Sequence, residues 1–480
     1  MTISASSIVG RYSGQSQCTG DGVSLENRYW AGAVAIDLCY SIHYSDPFGG
    51  DLSPVSLSLL MLSMAASHSP CLRTCPPKAA YVHIPFCRRR CFYCDFPISV
   101  MGDSRRGETS RTVRQYVAWL QREIAATPPG PPLRTIFFGG GTPSLLDGSQ
   151  LAMLLRSLRC RFGVEPGVEI SVEMDPGTFT LEQLQHYRQL GVTRVSLGVQ
   201  SFQNEQLQAC GRTHRRAQIE QAIGWLQAVN LPSWSLDLIS GLPGQTLASW
   251  QETLTEAIAH GSPHLSVYDL TLEPGTAFDR WYRPGQGPLP SDETTAAMYR
   301  LTQQLLVAAG YQHYEISNYA QPGHSCRHNR VYWQNRPYYG FGMGATSYVH
   351  GQRVSRPRTR RQYYGWVEQY EAQGGRHKEP LTSRQDQVLE TLMLGLRLAE
   401  GVAIAPLIPL AGTSLVSILA RCLRPYIDKG WVLIDGDKDD TITADSRIRL
   451  RDPEGFLMSN TILTALFAAL TPAPQSCPQS

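Results

Sequence analysis

From Tyr81 onward the chain alternates short runs of β-branched and aromatic residues with longer segments of helical period, and this alternation limits its possible folds more than any other feature. The runs are YVHI at Tyr81, TIFFGG at Thr135, EISVEM at Glu169, RVSLGV at Arg194, SWSLDLI at Ser233 and HLSVYDL at His264. Between them, apolar residues recur at helical spacing over Val113 to Ala125, Ser149 to Arg161, Leu181 to Leu190, Ala217 to Val229 and Leu247 to His260. Repeated βα units predict a parallel sheet buried on both faces. Right-handed crossovers then wrap six such units into an open α/β barrel. In barrels the chemistry sits at the carboxyl ends of the strands. Polar residues fall at those ends: Thr142 and Pro143 follow the second run, Glu173 and Asp175 close the third, Gln200 closes the fourth, and Asp237 lies in the fifth.

Just beyond the first run stands FCRRRCFYCDF, with Cys87, Cys91 and Cys94 at the spacing C-x3-C-x2-C. A compact loop of thiolates at a strand end can hold three irons of a cubic [4Fe-4S] cluster. Three ligands leave the fourth iron open to an amine and carboxylate, as catalytic metal sites keep a position free. The competing reading is a structural zinc site closed by His83, Cys71 or Cys75, although zinc usually takes shorter C-x2-C pairs and four protein ligands. Gly139-Gly140-Gly141-Thr142-Pro143 is the second motif. Without Cβ atoms its backbone can approach a ligand or turn tightly.

With Tyr93 before its last cysteine, the triplet resembles the signature of the radical S-adenosylmethionine (SAM) enzymes, and the flanking YVHIPFC is similar to the oxygen-independent coproporphyrinogen III oxidase family. The resemblance runs from about Tyr81 into the last quarter of the chain. It implies a radical SAM barrel, an open parallel (β/α)6 sheet, with GGGTP holding the SAM amino group. Tyr81, Gly140 and Glu173 are then expected at the cluster-bound SAM. Tyr93, Gly141, Thr142, Gln200, Arg212, Asp237 and Thr271 match positions that hold a second SAM in the coproporphyrinogen enzymes. In GRTHRRAQ, Arg212, Arg215 and Arg216 could meet carboxylates or form a solvated basic face.

The oxidases carry a fourth cysteine just past the third, whereas Asp95 and Phe96 follow Cys94 here. C-x3-C-x2-C-D-F resembles the HemW-like heme chaperone branch. His328-Asn329-x-x-Tyr332-Trp333, within the aromatic stretch Cys326 to Tyr348, is similar to the HNxxYW motif of the same branch. Imidazole is a common axial ligand to heme iron, so the resemblance makes His328 the heme-binding residue, with Cys326 as a competing ligand. The other reading of His328 is a core histidine among aromatics. Gly342, Gly344 and Thr346 are expected to form a loop returning to the SAM pocket.

Five segments follow. Residues 1–78 carry few charges and no sustained period and are read as a poorly structured N-terminal extension, with Met61 or Met64 as the working start. Residues 79–310 are the barrel, and 311–380 a family-specific segment holding HNxxYW. Its RPRTRR run, Arg356 to Arg361, is expected on a solvated face. A helix is expected over Ser291 to Ala309, opened by a Ser cap with acids in its first turn and ended by Gly310. Residues 381–470 are read as a small α+β, winged-helix-like domain with helices over Gln385 to Glu400 and Leu415 to Lys429. A hairpin-like WVLIDGDKDDTITA and a last helix from Ser459 complete it, and 471–480 form a tail. That domain has no basic recognition helix for nucleic acid.

A net charge of +3 excludes a strong field for nucleic acid or anionic membrane. Twelve cysteines in 480 residues are too few for a disulfide scaffold, which favours a reducing, cytoplasmic setting. The apolar stretch Val55 to Ala66 is too short to span a bilayer. Two functions follow from the resemblance. One is a heme chaperone that binds heme and passes it to an acceptor protein, using a [4Fe-4S] cluster and SAM. The other is an oxidase that decarboxylates coproporphyrinogen III to protoporphyrinogen IX. Either one takes electrons from a flavodoxin- or ferredoxin-type donor, because the chain shows no flavin or nicotinamide motif of its own.

Overall fold

A computed structural model describes residues 75–102, 107, 109–376, 379–435 and 441–471. The N-terminal extension up to residue 74, with Met61 and Met64, and the tail beyond residue 471 lie outside the described residues. The six apolar runs become β1 (Ala79–Ile84), β2 (Leu133–Gly140), β3 (Val164–Met174), β4 (Arg194–Gln200), β5 (Ser233–Ser240) and β6 (His264–Asp269). Each pairs in parallel with the next, for example Val82 with Phe138 and Leu238 with Val267.

The main helices between them are α1 (Arg111–Ala126), α2 (Gly148–Phe162), α3 (Leu181–Gln189), α4 (Arg216–Val229) and α5 (Leu247–Ala259), with a short helix, Asn204–Ala209, ahead of α4. Their starts are chemical. Ser110, Asp147, Thr180 and Thr246 each accept a hydrogen bond from an otherwise unsatisfied backbone N–H of the first turn. Their apolar stripes face the sheet: α1 buries Val113, Tyr116, Val117, Leu120 and Ile124. Each fully buried Val, Leu or Ile contributes about 1.5–3 kcal/mol of transfer free energy.

Three further strands extend the sheet to nine: β7 (Gln312–Glu315), β8 (Asn318–Ala320) and β9 (Tyr339–Phe341). β9 lies parallel to β1, whereas β8 runs antiparallel to β6 and carries β7 on the outer edge. The sheet therefore reaches beyond the six expected strands. The expected helix at Ser291 is α6 (Asp292–Ala308), capped by the Ser291 hydroxyl with Asp292 and Glu293 in its first turn. The chain leaves it through Gly310 at φ +87°.

Next come α7 (Arg327–Trp333), the hairpin β10 (Thr346–Val349) and β11 (Gln352–Ser355), and α8 (Arg360–Ala372). Arg356 corrects the expectation of a wholly solvated basic run. It is buried, because the equally buried Glu123 of α1 reaches its guanidinium.

The C-terminal part packs α9 (Arg384–Gly395), α10 (Ser414–Asp428) and α11 (Ser459–Leu470) on a small sheet of β12 (Val402–Ala403), β13 (Val432–Asp435) and β14 (Arg447–Leu450). Leu392, Leu415, Leu419, Leu423, Ile448 and Leu466 give it a core of its own. The strand that returns along β13 is Arg447–Leu450, with Val432 opposite Leu450, rather than the expected TITA. No single described helix is long and apolar enough to cross a membrane.

Candidate functional site: a cavity at the strand ends

A cavity opens at the carboxyl ends of the parallel strands, and Cys87, Cys91 and Cys94 all line it. The cysteine loop is held by its backbone. Phe86 and Cys87 pair with Ser99 and Val100, Cys94 N donates to Cys91 O at 3.2 Å, and Phe92 N donates to Cys210 O at 3.1 Å. The Thr142 hydroxyl lies 3.6 Å from Cys87 Sγ, and Arg212 Nη1 lies 3.4 Å from Cys91 Sγ. Burial pushes the Cys87 and Cys94 thiols up, Cys94 to about 12, and neighbouring cysteines push the same way. Such thiols ionise when a metal supplies compensating positive charge.

The donor set separates the two metal readings. Zinc would draw its thiolates to about 3.8 Å from one another around a single ion, given Zn–S bonds near 2.3 Å. Among the described residues, no three His, Cys, Asp or Glu side chains gather around one ion-sized point. His83 is already engaged, with Nδ1 3.0 Å from the Tyr81 hydroxyl and Nε2 3.1 Å from Pro97 O. Cys75 precedes the amino end of β1, roughly 20 Å of strand from Cys87. Cys71 lies outside the described residues.

The glycine turn forms the wall beside the cysteines. Gly141 N donates to Ile84 O at 2.9 Å, and Thr142 N to Phe86 O at 2.7 Å. A Cβ on Gly141 would stand 2.8 Å from Phe86 O and 3.0 Å from Cys87 Sγ. Gly140 takes φ +114° and donates its N–H to Glu173 Oε2 at 2.8 Å. Burial raises the carboxyl groups of Glu173 and Asp237. The Ser196 hydroxyl lies 2.9 Å from both Asp237 oxygens. Arg212 pairs with Asp175, donates to Gly198 O at 3.1 Å, and sits 3.4 Å from the Tyr93 hydroxyl.

Gln200 ends β4 at φ +69°, a conformation side chains rarely adopt, and its buried Oε1 has no hydrogen-bond partner among the described residues. A buried amide oxygen left open on a cavity wall costs about 1–3 kcal/mol unless a ligand donor meets it. Acceptors on the floor, a cation at the side and thiols at the rim suit a ligand carrying an amine, hydroxyls and a carboxylate. Together, the open Gln200 oxygen, the Gly141 cradle and the thiol set fit an iron-sulfur cluster with a small zwitterion against it.

Of the residues singled out in the sequence, Tyr93, Gly140, Gly141, Thr142, Glu173, Gln200, Arg212, Asp237 and Thr271 line this cavity with the cysteines. Tyr81 does not; it stacks on Phe137 below the rim. Thr346 does not line the cavity either. It opens β10, is buried, and bonds Ser355 Oγ at 2.7 Å, while Gly342 and Gly344 before it pack closely against His83 and Pro97 beside the cysteine loop.

His328 lies near the opposite end of the sheet, roughly 17 Å of strand from the Gly140 turn. It is fully buried. Its Nδ1 is 2.8 Å from Thr135 Oγ1, its Nε2 is 3.0 Å from the Tyr332 hydroxyl, and its ring stacks on Phe137. Cys326 is buried beside it against Asn329. Asp175, noted in the sequence at the end of the third run, also lines the cavity, as do Ser196 and Glu273, which were not among the expected site residues. For Ser196, the signal was the polar residue set among apolar ones in RVSLGV, which turns inward at a strand's two-residue period.

The Radical SAM superfamily model matches residues 81–257, and the HemN C-terminal domain model matches residues 382–438. The chain is 50% identical over 402 residues to the heme chaperone HemW of Synechocystis, an alignment covering 82% of this chain and 97% of that protein. It is 40% identical over 275 residues to the heme chaperone HemW of Escherichia coli, covering 56% and 70%. Coproporphyrinogen III oxidase (HemN) from Escherichia coli, a radical SAM enzyme of known structure, superposes with a TM-score of 0.67 at 24% identity, covering 85% of this chain and 93% of that one. That last likeness speaks for the fold alone.

Proposed function

The chain belongs to the HemW branch of the radical SAM superfamily, and on that premise we propose that it binds heme and passes it to an acceptor protein. The observation that carries this reading is the alignment at 50% identity over 97% of a protein named as a heme chaperone. The superfamily implies a [4Fe-4S] cluster and SAM, and the strand-end cavity offers residues for both. Cys87, Cys91 and Cys94 would hold the cluster. When bound, the cluster supplies an open iron and a site for one electron.

The chain's own groups do the rest. Gly140 and Glu173 present a backbone and a carboxylate to an ammonium group, Asp237 faces hydroxyls, and Arg212 steadies Cys91 and Asp175. We assign the barrel to residues 79–310, the heme segment to 311–380 and the C-terminal domain to 381–470. The free cysteines suit a reducing cytoplasm.

His328 is our heme ligand, and its surroundings set a condition. Both ring nitrogens are occupied in the closed arrangement, so ligation requires α7 to release Tyr332 and Thr135 from the imidazole. The test is an anaerobic heme titration of wild type and His328→Ala, with circular dichroism to verify folding. A Soret band in the wild type that shifts or disappears in the folded variant is expected. Identical spectra would remove His328 from the reading. Conversion of coproporphyrinogen III by the cluster-loaded protein with SAM and a reductant would replace the chaperone reading with the oxidase.

A further inference from the structure

Several arginines on this protein's surface sit against acids. Arg122 pairs with Glu371, Arg134 with Glu165, Arg300 with Glu454 and Arg449 with Asp435. The rim of the cysteine loop gathers five that do not. Arg88 donates to Gly177 O, Arg90 to Cys94 O and Phe96 O, Arg280 to Gly275 O, Arg283 to Asp279 O and Tyr282 O, and Arg358 to Asp95 O. None of these five forms an ion pair with a described carboxylate. Backbone carbonyls fix these guanidinium groups without cancelling their charge. Described acids beside them include Asp95, which feels Arg358 and Arg90, Asp279, which accepts from Gly275 N, and Glu273, which is buried in the cavity wall.

The same rim carries apolar surface. Trp281 is 53% exposed and Val100 56%. Trp281 meets the ring of Phe92, the residue after Cys91, edge to face at 4.9 Å, and Val100 pairs with Cys87. Phe278 N donates to Phe92 O at 3.0 Å, so the short helix Ala277–Trp281 is tied to the cysteine loop by its backbone. An exposed tryptophan amid uncancelled arginines matches the make-up of interface anchors.

We propose that this rim, Arg88, Arg90, Arg280, Trp281, Arg283 and Arg358, is the docking face for an acidic one-electron donor protein. The proposal rests on the cluster reading of Cys87, Cys91 and Cys94. In the step it serves, one electron leaves the donor's reduced cofactor and enters the cluster, and no atoms are exchanged. Charge complementarity selects the occupant. A negatively charged partner is steered to a basic rim, and the steering weakens with salt. The rim also brings the donor against the loop that holds the cluster, where the path for the electron is shortest.

The test uses cluster-loaded full-length protein and a plant-type [2Fe-2S] ferredoxin as the acidic donor. Cluster reduction is followed by stopped flow at rising ionic strength, with dithionite as a small reductant that needs no docking face. In the Arg280→Glu/Arg283→Glu double variant and in Trp281→Ala, the ferredoxin rate should fall at least tenfold and the ferredoxin Kd should rise likewise. Iron content and the dithionite-induced EPR signal should match the wild type. Ferredoxin reduction that is independent of salt, or equal in the variants, overturns the proposal alone. Loss of duplex DNA retention in the variants with ferredoxin reduction unchanged overturns it in favour of nucleic acid. No EPR signal on dithionite treatment overturns the cluster reading, and this proposal with it.

Discussion

Glu123 Oε1 accepts a 2.8 Å hydrogen bond from Arg356 Nε across 233 residues of chain, with both side chains sealed from solvent. Oε2 of the same carboxylate accepts from Gly342 N at 2.8 Å and from the Tyr363 hydroxyl at 2.7 Å. Arg356 completes its set on Ser347 Oγ and Val354 O. One carboxylate thus pins the β10–β11 hairpin and α8 to α1, behind the strand that leads into the cysteine loop.

Removing either partner leaves a buried charge without compensation. Breaking a buried pair in this way costs about 3–5 kcal/mol. Glu123→Ala and Arg356→Ala should each lower the unfolding free energy from urea titration by that amount, whereas the apolar double replacement Glu123→Leu/Arg356→Met should recover part of it. A single variant as stable as wild type would show that the network carries no stability.

The glycine turn is constrained by space as well as conformation. A Cβ on Gly140 would come within 2.4 Å of the His83 ring, and the residue sits at φ +114°. Gly140→Ala therefore meets a clash and a conformation that costs about 1–3 kcal/mol. Gly141→Ala keeps an ordinary φ and pushes instead on Phe86 O and Cys87 Sγ. Iron and sulfide analysis after anaerobic reconstitution should show reduced cluster content in both, with the thermal midpoint lowered more by Gly140→Ala.

Arg212 brings a buried positive charge to 3.4 Å from Cys91 Sγ. Hydrogen bonds and net charge at the sulfurs set the potential of a cluster. A guanidinium there favours the reduced, more negative state, so Arg212→Met should shift the midpoint to more negative values by several tens of millivolts in an EPR-monitored titration. The variant also leaves Asp175 unpaired beside the Thr142 hydroxyl, at 3.3 Å. Arg212→Lys should therefore recover stability better than it recovers the potential.

The barrel was legible because its six strands and five main helices announce themselves locally, in a two-residue or helical period, with Ser, Thr or Asp caps opening four of those helices. The cavity residues were legible because barrels gather their strand ends at one mouth. What escaped depends on distance in the chain. Three short strands, such as Tyr339–Phe341, form only because an edge of the sheet is there to receive them. Arg356 looks solvated within RPRTRR and is buried only because Glu123 waits 233 residues earlier. His328 and the cysteines shared a family resemblance, yet nothing local reveals that they stand toward opposite ends of one sheet.

The burial of His328 has a pH signature of its own. Burial lowers its pKa to about 3, whereas the unfolded chain holds the imidazole at its ordinary value of 6.5. Between those values the unfolded state binds the proton and the folded state does not, so stability rises with pH. The contribution is complete above about pH 6.5 and is lost at roughly 1.4 kcal/mol per pH unit as the pH falls toward 3. His328→Gln cannot take up that proton, so its urea-derived stability between pH 4 and 6 should fall less steeply than the wild type's, by the slope of one proton, because the other buried histidines, such as His83 and His214, still titrate in the variant. Tyr332→Phe removes the partner of Nε2 and leaves the nitrogen without its bond, at about 1 kcal/mol. If α7 is the gate to the imidazole, this variant should also take up heme faster by stopped-flow absorbance. A wild-type uptake rate together with a wild-type pH slope would mean that the imidazole is not held as described.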